Sequence, residues 1–384
     1  MSTQDPLGIT DEIKAYVANR IGFIELDRPK ALNALSVDMI RGIQTAFDHW
    51  RENPEVLAVV LRSDHARAFC AGGDVRFLYE ASQRGEHAAR EAFFIDEYRL
   101  NHAMFTYPKP IVALTNGVVM GGGMGISQPA HRTGGLRVVT GSTKMAMPET
   151  RIGLFPDVGV AWFMARTPGA LGRYLAVTGE TIVAADALYA GLADVYLDDD
   201  VLPALFDLLR TDHFEFGDDV VACVRQLAAG PGAPKPDASS LAASRRWIDR
   251  HFALPDMRQI LASLEATRDG EDTHGDDDGE ARDWAEQMIG VLRERSPLSM
   301  AVSLEVVTRA EGTMADVLRR DLDLTHTSFA NGDVLEGIRA RIIDKDNAPH
   351  WRFARIEDVT PTDVAAMFES PWGAADHPLR DLQG

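Results

Sequence analysis

Three consecutive glycines, Gly121 to Gly123, are the residues of this chain best suited to hold a developing negative charge. They follow an apolar run, Ile111 to Leu114, which predicts a buried strand, and a helix could begin at the glycines. Because glycine lacks a Cβ atom, the backbone can turn sharply there and lie close to a bound molecule. The first N–H groups of a helix have no partner within it, so they can donate to an oxyanion on a carbonyl group. Close helix packing or a tight turn would explain the same glycines, and this alternative stays open here.

Two acids, Glu149 and Asp157, follow in a stretch rich in glycine and proline. They stand 157 − 149 = 8 positions apart, each directly after a proline, among apolar neighbours. An apolar setting raises the pKa of a carboxyl group toward the range in which it acts as a general acid or base. Glu149 could instead stabilise a helix N-terminus, and Asp157 could belong to an ordinary turn. The functional interpretation of the pair is acid–base chemistry.

A second glycine turn, Gly72 and Gly73, stands before Asp74 in the segment AFCAGGDVRFLYE. It comes after another predicted buried strand, Val56 to Leu61, and leads into a helix with Asp74 in its first turn. Such a turn can form a second cradle for an anion or a carbonyl oxygen. A pair of glycines alone is weak evidence for one.

The elements that carry these turns repeat along the first half of the chain. Two strands between Ile13 and Leu26 are followed by a helix for which Ser36 is a plausible N-cap. The pattern from Val201 onward is mostly helical. We therefore predict an α/β core over residues 1–200 and a mainly helical region over residues 201–384, with flexible loops near 230–240 and 269–283.

Composition narrows the function classes. The 384 residues include 39 Lys and Arg against 58 Asp and Glu, a net charge of −19, which argues against nucleic acid or an anionic membrane as a partner. The two cysteines show no spacing typical of a metal site or of a disulfide framework. The first thirty residues lack a secretory signal pattern, and no apolar run is long enough to span a bilayer. We expect a soluble cytoplasmic protein.

Five segments resemble the crotonase (enoyl-CoA hydratase/isomerase) superfamily and occur in family order, covering roughly residues 15 to 197. They read IELDRPKALNALS, AFCAGGDVRFLYE, PIVALTNGVVMGGGMGIS, MAMPETRIGLFPDVG and YLAVTGETIVAADALYAGLADVYL. The resemblance implies an α/β fold, a crotonase-type spiral of repeated ββα units, with a helical C-terminal region that covers the pocket and makes subunit contacts in a possible homo-oligomer.

Further segments are similar to the 3-hydroxyisobutyryl-CoA hydrolase branch of that superfamily. They include FFIDEY, MGGGMG, SPLSMAVSLEVV and EGIRARIIDKDNAPHW. Hydratases of the superfamily carry a first catalytic glutamate two residues beyond the third glycine of the triplet, where this chain has Gly125. The second hydratase glutamate corresponds to Glu149, and Asp157 stands where hydratases often have glycine. This combination is the hydrolase arrangement.

Carried over by position, the resemblance implies a role for each site residue. Gly73 and Gly122 would donate the two N–H groups of an oxyanion hole. Glu149 would act at the thioester carbonyl as a nucleophile or as a base for water, and Asp157 would orient the acyl hydroxyl or shuttle a proton. Glu97, from FFIDEY, would line the acyl pocket, although it could also lie on a solvated helix face. The remaining candidate substrate-binding residues are Asp74, Gly121 and Gly123.

The substrate implied is a short 3-hydroxyacyl-CoA thioester, most simply 3-hydroxyisobutyryl-CoA from valine breakdown. Coenzyme A would be part of the substrate, and neither a metal nor a redox cofactor is expected. Two alternatives remain: an enoyl-CoA hydratase or isomerase, and an acyl-CoA-binding protein without turnover.

Overall fold

The computed structural model describes residues 10–230, 232–271, 278–331 and 333–384. The chain divides into two compact units, and each unit is assembled from three separate stretches. The first unit comprises the described residues up to Asp74, Ala92–Ala146 and Thr181–Ser239. The second comprises Val75–Glu91, Met147–Glu180 and Ser240–Gly384.

The strands of the described residues belong to the first unit and form two sheets. A six-stranded sheet has the order β1-β2-β3-β5-β7-β10, and a four-stranded sheet has the order β4-β6-β8-β9. The strands are β1 Ile13–Ala18, β2 Ile21–Leu26, β3 Ala58–Ser63, β4 Ala68–Cys70, β5 Ile111–Thr115, β6 Val118–Met120, β7 Leu136–Val139, β8 Lys144–Ala146, β9 Ile182–Val183 and β10 Val195–Tyr196.

The helices are distributed over both units. They are α1 Val37–Arg51, α2 Val75–Gln83, α3 His87–Phe105, α4 Gly122–Ser127, α5 Val160–Met164, α6 Leu171–Thr178, α7 Ala184–Tyr189, α8 Leu202–Thr211, α9 Gly217–Ala228, α10 Ser240–Phe252, α11 Met257–Asp269, α12 Asp278–Arg293, α13 Pro297–Thr308, α14 Met314–Asn331, α15 Asp333–Ile338 and α16 Pro361–Met367. None of the helices in the described ranges has the length and hydropathy that a membrane crossing needs.

The six-stranded sheet is the core of the first unit. Strands β1 and β2 pair antiparallel, whereas β2, β3, β5, β7 and β10 run parallel. Side chains on one face of the sheet pack with apolar residues of α8 and α9, as their alternation along the strands requires. The buried cluster includes Phe23, Val60, Leu114, Val138, Leu205, Leu209 and Val224.

The four-stranded sheet determines where the glycine turns lie. Strands β4, β6 and β8 are parallel neighbours, so their carboxyl ends lie at the same edge of the sheet. The turn of Gly72 and Gly73 follows β4, and Gly121 follows β6 directly. Parallel pairing therefore brings the two glycine turns together although 121 − 72 = 49 positions separate them.

Several local predictions are confirmed. Helix α1 begins after Ser36, whose hydroxyl accepts a hydrogen bond from the Met39 N–H at 3.0 Å. Strands β1 and β2 lie within the predicted segment. The third strand, predicted from Val56 to Leu61, begins later, at Ala58, because the Val56 N–H is used in a turn with the Asn53 carbonyl.

The second unit is helical, and its interior is apolar. Helix α13 packs against α6, α11 packs against α12, and α14 contacts α5, α15 and α16. Residues 232–239 form no helix or strand, in line with the predicted loop near 230–240. Of the predicted loop over 269–283, residues 272–277 lie outside the described ranges, and α12 begins within it at Asp278. The predicted domain boundary near residue 200 stays a prediction.

Candidate active site

The two glycine turns lie in direct contact within the first unit. A Cβ atom placed on Gly122 would lie 3.3 Å from the backbone nitrogen of Gly73, and one placed on Gly72 would lie 3.9 Å from the nitrogen of Gly122. Gly72 has a φ angle of 109° and Gly121 one of 49°, values that favour glycine over other residues. The sequence therefore provides glycine where the turns approach each other and where the backbone conformation demands it.

The backbone hydrogen bonds around Gly73 and Gly122 do not use the N–H groups of these two residues. Leu35 bridges the first turn: its N–H donates to the Gly72 carbonyl at 2.7 Å, and its carbonyl accepts from the Asp74 N–H at 2.9 Å. This pairing uses the carbonyl of Gly72 and the N–H of Asp74, but not the N–H of Gly73 between them. In the second turn the Gly121 N–H donates to the Ala146 carbonyl at 3.2 Å, and Gly122 is the first residue of α4. Neither N–H donates a hydrogen bond to another described residue.

Helix α3 places two side chains against these turns. A Cβ atom on Gly122 would lie 2.5 Å from Oε1 of Glu97, and one on Gly73 would lie 3.2 Å from the ring of Phe93. Phe93 and Glu97 are four positions apart and so share one helix face. Glu97 is only 2% exposed, so it does not lie on a solvated face. The structure therefore brings together three predicted site residues, Gly73, Gly122 and Glu97.

The other candidates of the first unit lie nearby with packing or pairing roles. A Cβ atom on Gly123 would lie 2.5 Å from the Cys70 carbonyl oxygen, so α4 approaches the end of β4 too closely for a side chain there. The carboxylate of Asp74 accepts a hydrogen bond from the Arg28 guanidinium at 2.7 Å. Arg28 also pairs with Glu12 at 3.0 Å. A direct substrate role for Asp74, Gly121 and Gly123 stays a prediction.

Glu149 belongs to the second unit and is buried. It opens a short 3-10 helix, Glu149–Ile152, and its side chain is 7% exposed. The helix ends at Gly153, whose φ angle of 73° lets the Leu154 N–H return to the Glu149 carbonyl at 3.0 Å. A Cβ atom on Gly153 would lie 2.6 Å from the Asp333 carbonyl oxygen. This packing holds the backbone of Glu149 in place.

Asp157 lies in the same unit, in a turn that is buried throughout. The residues from Phe155 to Val160 are all buried, and Asp157 itself is 5% exposed. The turn leads into α5, and the Val160 N–H donates to the Asp157 carbonyl at 3.0 Å. An Asp buried among apolar residues is not the solvated turn residue that Pro-Asp sequences usually indicate.

One acid beside this turn was missed by the sequence reasoning. Asp321, on α14, is fully buried, and its Oδ2 atom accepts a hydrogen bond from the Gly159 N–H at 2.9 Å. Burial raises the pKa of Asp321 to about 7, with Arg320 and the Gly159 N–H acting against burial and Asp157 adding to it. Helical spacing could have revealed it, because Asp321 shares the apolar face of Val317 and Leu318.

The described site residues offer backbone N–H donors, carboxyl groups and one buried thiol. The Cys70 thiol is buried, which raises its pKa to about 12, so it is a poor nucleophile. Within the described ranges, no three or more His, Cys, Asp or Glu side chains are grouped so that they could hold a metal ion. Two adjacent N–H donors suit an anion that develops on one carbonyl oxygen, and such a donor lowers a barrier by about 3 kcal/mol.

Comparison with known proteins gives the family. The enoyl-CoA hydratase/isomerase family model matches residues 21–368. The mitochondrial 3-hydroxyisobutyryl-CoA hydrolase of Rattus norvegicus is 35% identical over 350 residues, which cover 91% of this chain and 86% of that protein. The 3-hydroxyisobutyryl-CoA hydrolase 1 of Arabidopsis thaliana is 36% identical over 356 residues and is covered to 89%.

Solved structures show the same fold. The crystal structure of a carnitinyl-CoA dehydratase from Mycobacterium thermoresistibile matches with a TM-score of 0.80 and 36% identity over 94% of this chain and 97% of that chain. An enoyl-CoA hydratase from Rhodobacter sphaeroides matches with a TM-score of 0.80 and 35% identity, over 94% and 98% of the two chains. The predicted crotonase-type α/β fold with a helical C-terminal region is confirmed. The chain belongs to the enoyl-CoA hydratase/isomerase family.

Proposed function

We propose that this protein hydrolyses a short 3-hydroxyacyl-CoA thioester, with 3-hydroxyisobutyryl-CoA as the preferred substrate. The observation that carries the proposal is the pair of adjacent N–H groups, Gly73 and Gly122, that no described residue uses. Addition of an oxygen nucleophile to a thioester places negative charge on the carbonyl oxygen, and such donors stabilise that charge. The names of the Rattus and Arabidopsis relatives support hydrolysis and the hydroxyacyl group.

In this proposal Glu149 is the catalytic carboxyl group. As a base it takes a proton from water, and the hydroxide adds to the carbonyl carbon. The C–S bond of the resulting tetrahedral oxyanion then breaks, and the CoA thiolate takes a proton. As a nucleophile, Glu149 would instead displace the thiolate and form an anhydride that water opens. Asp157 orients the 3-hydroxyl group or shuttles the proton, and Glu97 lines the acyl pocket beside Gly122.

Two features favour hydrolysis over hydration. Gly125 occupies the position at which hydratases of the family carry their first glutamate, so a two-glutamate activation of water is not available there. Asp157 adds a buried carboxyl group instead. The structures named as a dehydratase and a hydratase keep a hydratase or isomerase as the second candidate.

The proposal also covers the cofactor requirement, the pathway, the oligomeric state and the cellular location. We propose that the enzyme needs no cofactor beyond the coenzyme A of its substrate, acts in valine breakdown, and forms a homo-oligomer through its helical region. A cytoplasmic location stays a prediction, because the vertebrate relatives are named as mitochondrial proteins. Fractionation of the source cells tests it.

The substrate panel that tests the function is 3-hydroxyisobutyryl-CoA, 3-hydroxypropionyl-CoA and crotonyl-CoA. Release of the CoA thiol from the two hydroxyacyl esters, with crotonyl-CoA left intact, is the expected result. Hydration of crotonyl-CoA without thiol release would contradict the proposal in favour of a hydratase. Tight acyl-CoA binding without any product would contradict it in favour of a binding protein.

A further inference from the structure

The turn that carries Asp157 has a strained backbone. Val158, the next residue, has a φ angle of 51°, and Gly159 has one of 72°. A positive φ is unusual for a β-branched residue, because its Cβ atom crowds the backbone. Such a conformation persists only where the surroundings impose it. Neighbouring groups must therefore hold the turn that follows Asp157.

Helix α14 supplies the group that holds it. The Gly159 N–H donates to Oδ2 of Asp321 at 2.9 Å, across 321 − 159 = 162 positions of sequence. Asp321 is 0% exposed, and its other oxygen, Oδ1, has no hydrogen-bond partner among the described residues. A buried carboxyl group with a single hydrogen bond is costly to maintain, so a purely structural origin explains it poorly.

The fit between α14 and the turn is close. A Cβ atom on Gly159 would lie 2.5 Å from the sulfur of Met314 and 3.3 Å from Leu318. Met314, Leu318 and Asp321 follow one another at helical spacing, so one face of α14 contacts the turn. The carboxyl group of Asp321 therefore cannot move away from Gly159 without repacking of this face.

The helix itself is fixed by the end of the chain. The Arg319 guanidinium donates to the Leu379 carbonyl at 3.1 Å, and the Ser370 hydroxyl donates to Asp323 at 2.6 Å. The Thr327 hydroxyl donates to the Met367 carbonyl at 2.8 Å. These bonds run along α14 on both sides of Asp321, so the helix is a rigid support for it.

Asp321 is also electrostatically coupled to Asp157. Burial makes the largest contribution to the raised pKa of Asp321, Arg320 lowers that pKa, and the charge of Asp157 adds a smaller rise. Two carboxyl groups in one apolar interior disfavour each other's charged form, so Asp321 does not serve to neutralise Asp157. The hydrogen bond from the Gly159 N–H to Asp321 instead fixes the backbone on which Asp157 stands.

We propose that Asp321 is a positioning residue, which holds the strained turn through the Gly159 N–H and so fixes the carboxyl group of Asp157. The inference rests on the proposed function, in which Asp157 acts on the acyl group or on a proton. Asp321 itself does not touch the substrate in this proposal. An error in placement of about 1 Å costs a reaction on the order of 100-fold in rate.

Three variants separate positioning from bulk stability. Asp321→Asn keeps an oxygen that can accept from the Gly159 N–H, whereas Asp321→Ala removes it. Asp321→Ser fills part of the space with a hydroxyl group too short to reach, and it replaces the alanine variant where that one yields no folded protein. Asp186→Ala is the matched control, because Asp186 is a buried acid that caps α7 and accepts from Ser239 at 2.7 Å.

We expect the variants to differ in kcat and to share a nearly unchanged KM. With 3-hydroxyisobutyryl-CoA, Asp321→Ala or Asp321→Ser lowers kcat by about 10- to 100-fold with KM within about threefold of wild type. Asp321→Asn stays within about threefold of wild type in kcat, and Asp186→Ala within about twofold. A wild-type kcat in the alanine or serine variant would overturn the proposal. An asparagine variant as slow as the alanine variant would overturn it too.

Backbone amide exchange of the peptide containing Gly159 gives a readout that does not depend on activity. We expect Asp321→Ala or Asp321→Ser to speed exchange of the Gly159 amide at least about tenfold, and Asp321→Asn to leave it unchanged. If the wild-type protein releases no CoA, the proposed function fails, and amide exchange still decides whether Asp321 holds the turn. Unchanged exchange in the shortened variants would overturn that role.

Discussion

The carboxyl group of Glu97 fills the space in which a side chain on Gly122 would lie, with Oε1 only 2.5 Å from the position of a Cβ atom. A methyl group at Gly122 must therefore displace the carboxyl group or move the Gly122 N–H. We expect Gly122→Ala to lower kcat for thioester hydrolysis by about 100-fold, the scale seen when one oxyanion donor is lost. Steady-state kinetics on 3-hydroxyisobutyryl-CoA measures the change.

The matched control for this prediction is Gly290→Ala. Gly290 is an exposed glycine of α12, and a Cβ atom there would meet nothing within 4 Å. The same substitution should leave kcat unchanged and raise the free energy of unfolding by roughly 1 kcal/mol, because alanine favours the helix. Equal kinetics for the two alanine variants would contradict the role of Gly122.

A buried ion pair stabilises the first unit without taking part in the chemistry. Arg137, on β7, is 2% exposed, and its guanidinium donates two hydrogen bonds to Asp194, from Nε to Oδ2 at 2.9 Å and from a terminal nitrogen to Oδ1 at 2.8 Å. Its backbone N–H also donates to Oδ2 at 2.8 Å. Burial alone would raise the pKa of Asp194, but the hydrogen bonds and charge of Arg137 outweigh it and lower that pKa. Asp194→Asn removes the compensating charge, so we expect a loss of about 3 to 5 kcal/mol.

Urea unfolding measures that loss. The control is Glu86→Gln, which breaks the pair between Glu86 and Arg84, 3.0 Å apart and half exposed. We expect no measurable shift of its unfolding midpoint, because exposed pairs contribute little. A mild effect of Asp194→Asn, equal to that of the control, would show that the buried pair is dispensable.

Much of the fold was predictable because its signals are local. Ser36 marks the start of α1 through its own hydroxyl, and the apolar run from Ile111 predicts β5 through β-strand composition alone. The glycine triplet predicts the start of α4, and Gly121, just before that helix, has a φ angle of 49° that favours glycine. Such features depend on a few neighbouring residues, so reading them needs no tertiary structure.

Features that depend on distant residues were not predictable in this way. The contact between the turns of Gly73 and Gly122 depends on the pairing of β4 with β6, and local sequence patterns do not predict which strands pair. Helical spacing places Asp321 on the apolar face of α14, but it does not indicate the partner of Asp321, because the Gly159 N–H is a backbone group far along the chain. A backbone donor leaves no pattern in the sequence.

The pH dependence of the free energy of unfolding should reveal the raised pKa of Asp321. Burial raises its pKa from 3.8 to about 7, so the folded protein binds this proton more tightly than the unfolded chain. The stability gained from it is complete below about pH 4 and is lost as the pH rises through about 7. The side chain of Asp321→Asn cannot ionise, so the variant does not lose this stability as the pH rises. The free energy of unfolding of the variant minus that of wild type should therefore increase by at most about 4 kcal/mol between pH 4 and pH 8.

Chemical denaturation at several pH values tests this. The control, Asp316→Asn, is on the same helix, where hydrogen bonds from Thr313 lower the pKa of Asp316. Its stabilising contribution is present above the ordinary pKa and lost as the pH falls below it, so its difference from wild type should stay flat between pH 5 and pH 8. A flat difference for Asp321→Asn as well would refute the raised pKa.

The cysteines should be unreactive in the native protein. Burial raises the pKa of Cys70 to about 12, and burial also raises the pKa of the partly buried Cys223. Because the thiolate is the reactive species, a disulfide reagent at neutral pH should label Cys70 only after unfolding. Labelling in the presence and absence of guanidinium, followed by peptide mapping, measures this. Rapid native labelling of Cys70 would contradict its burial.

In the proposed mechanism Glu149 acts on a thioester, and free CoA is released. The most direct test is the rate of CoA release from 3-hydroxyisobutyryl-CoA by wild type and Glu149→Gln, with the exposed Glu357→Gln as the matched control. We predict release by wild type and the control at equal rates, and a loss of at least about 100-fold in Glu149→Gln, the scale of general acid–base catalysis. Release by Glu149→Gln at the wild-type rate would show that Glu149 is not the catalytic carboxyl group.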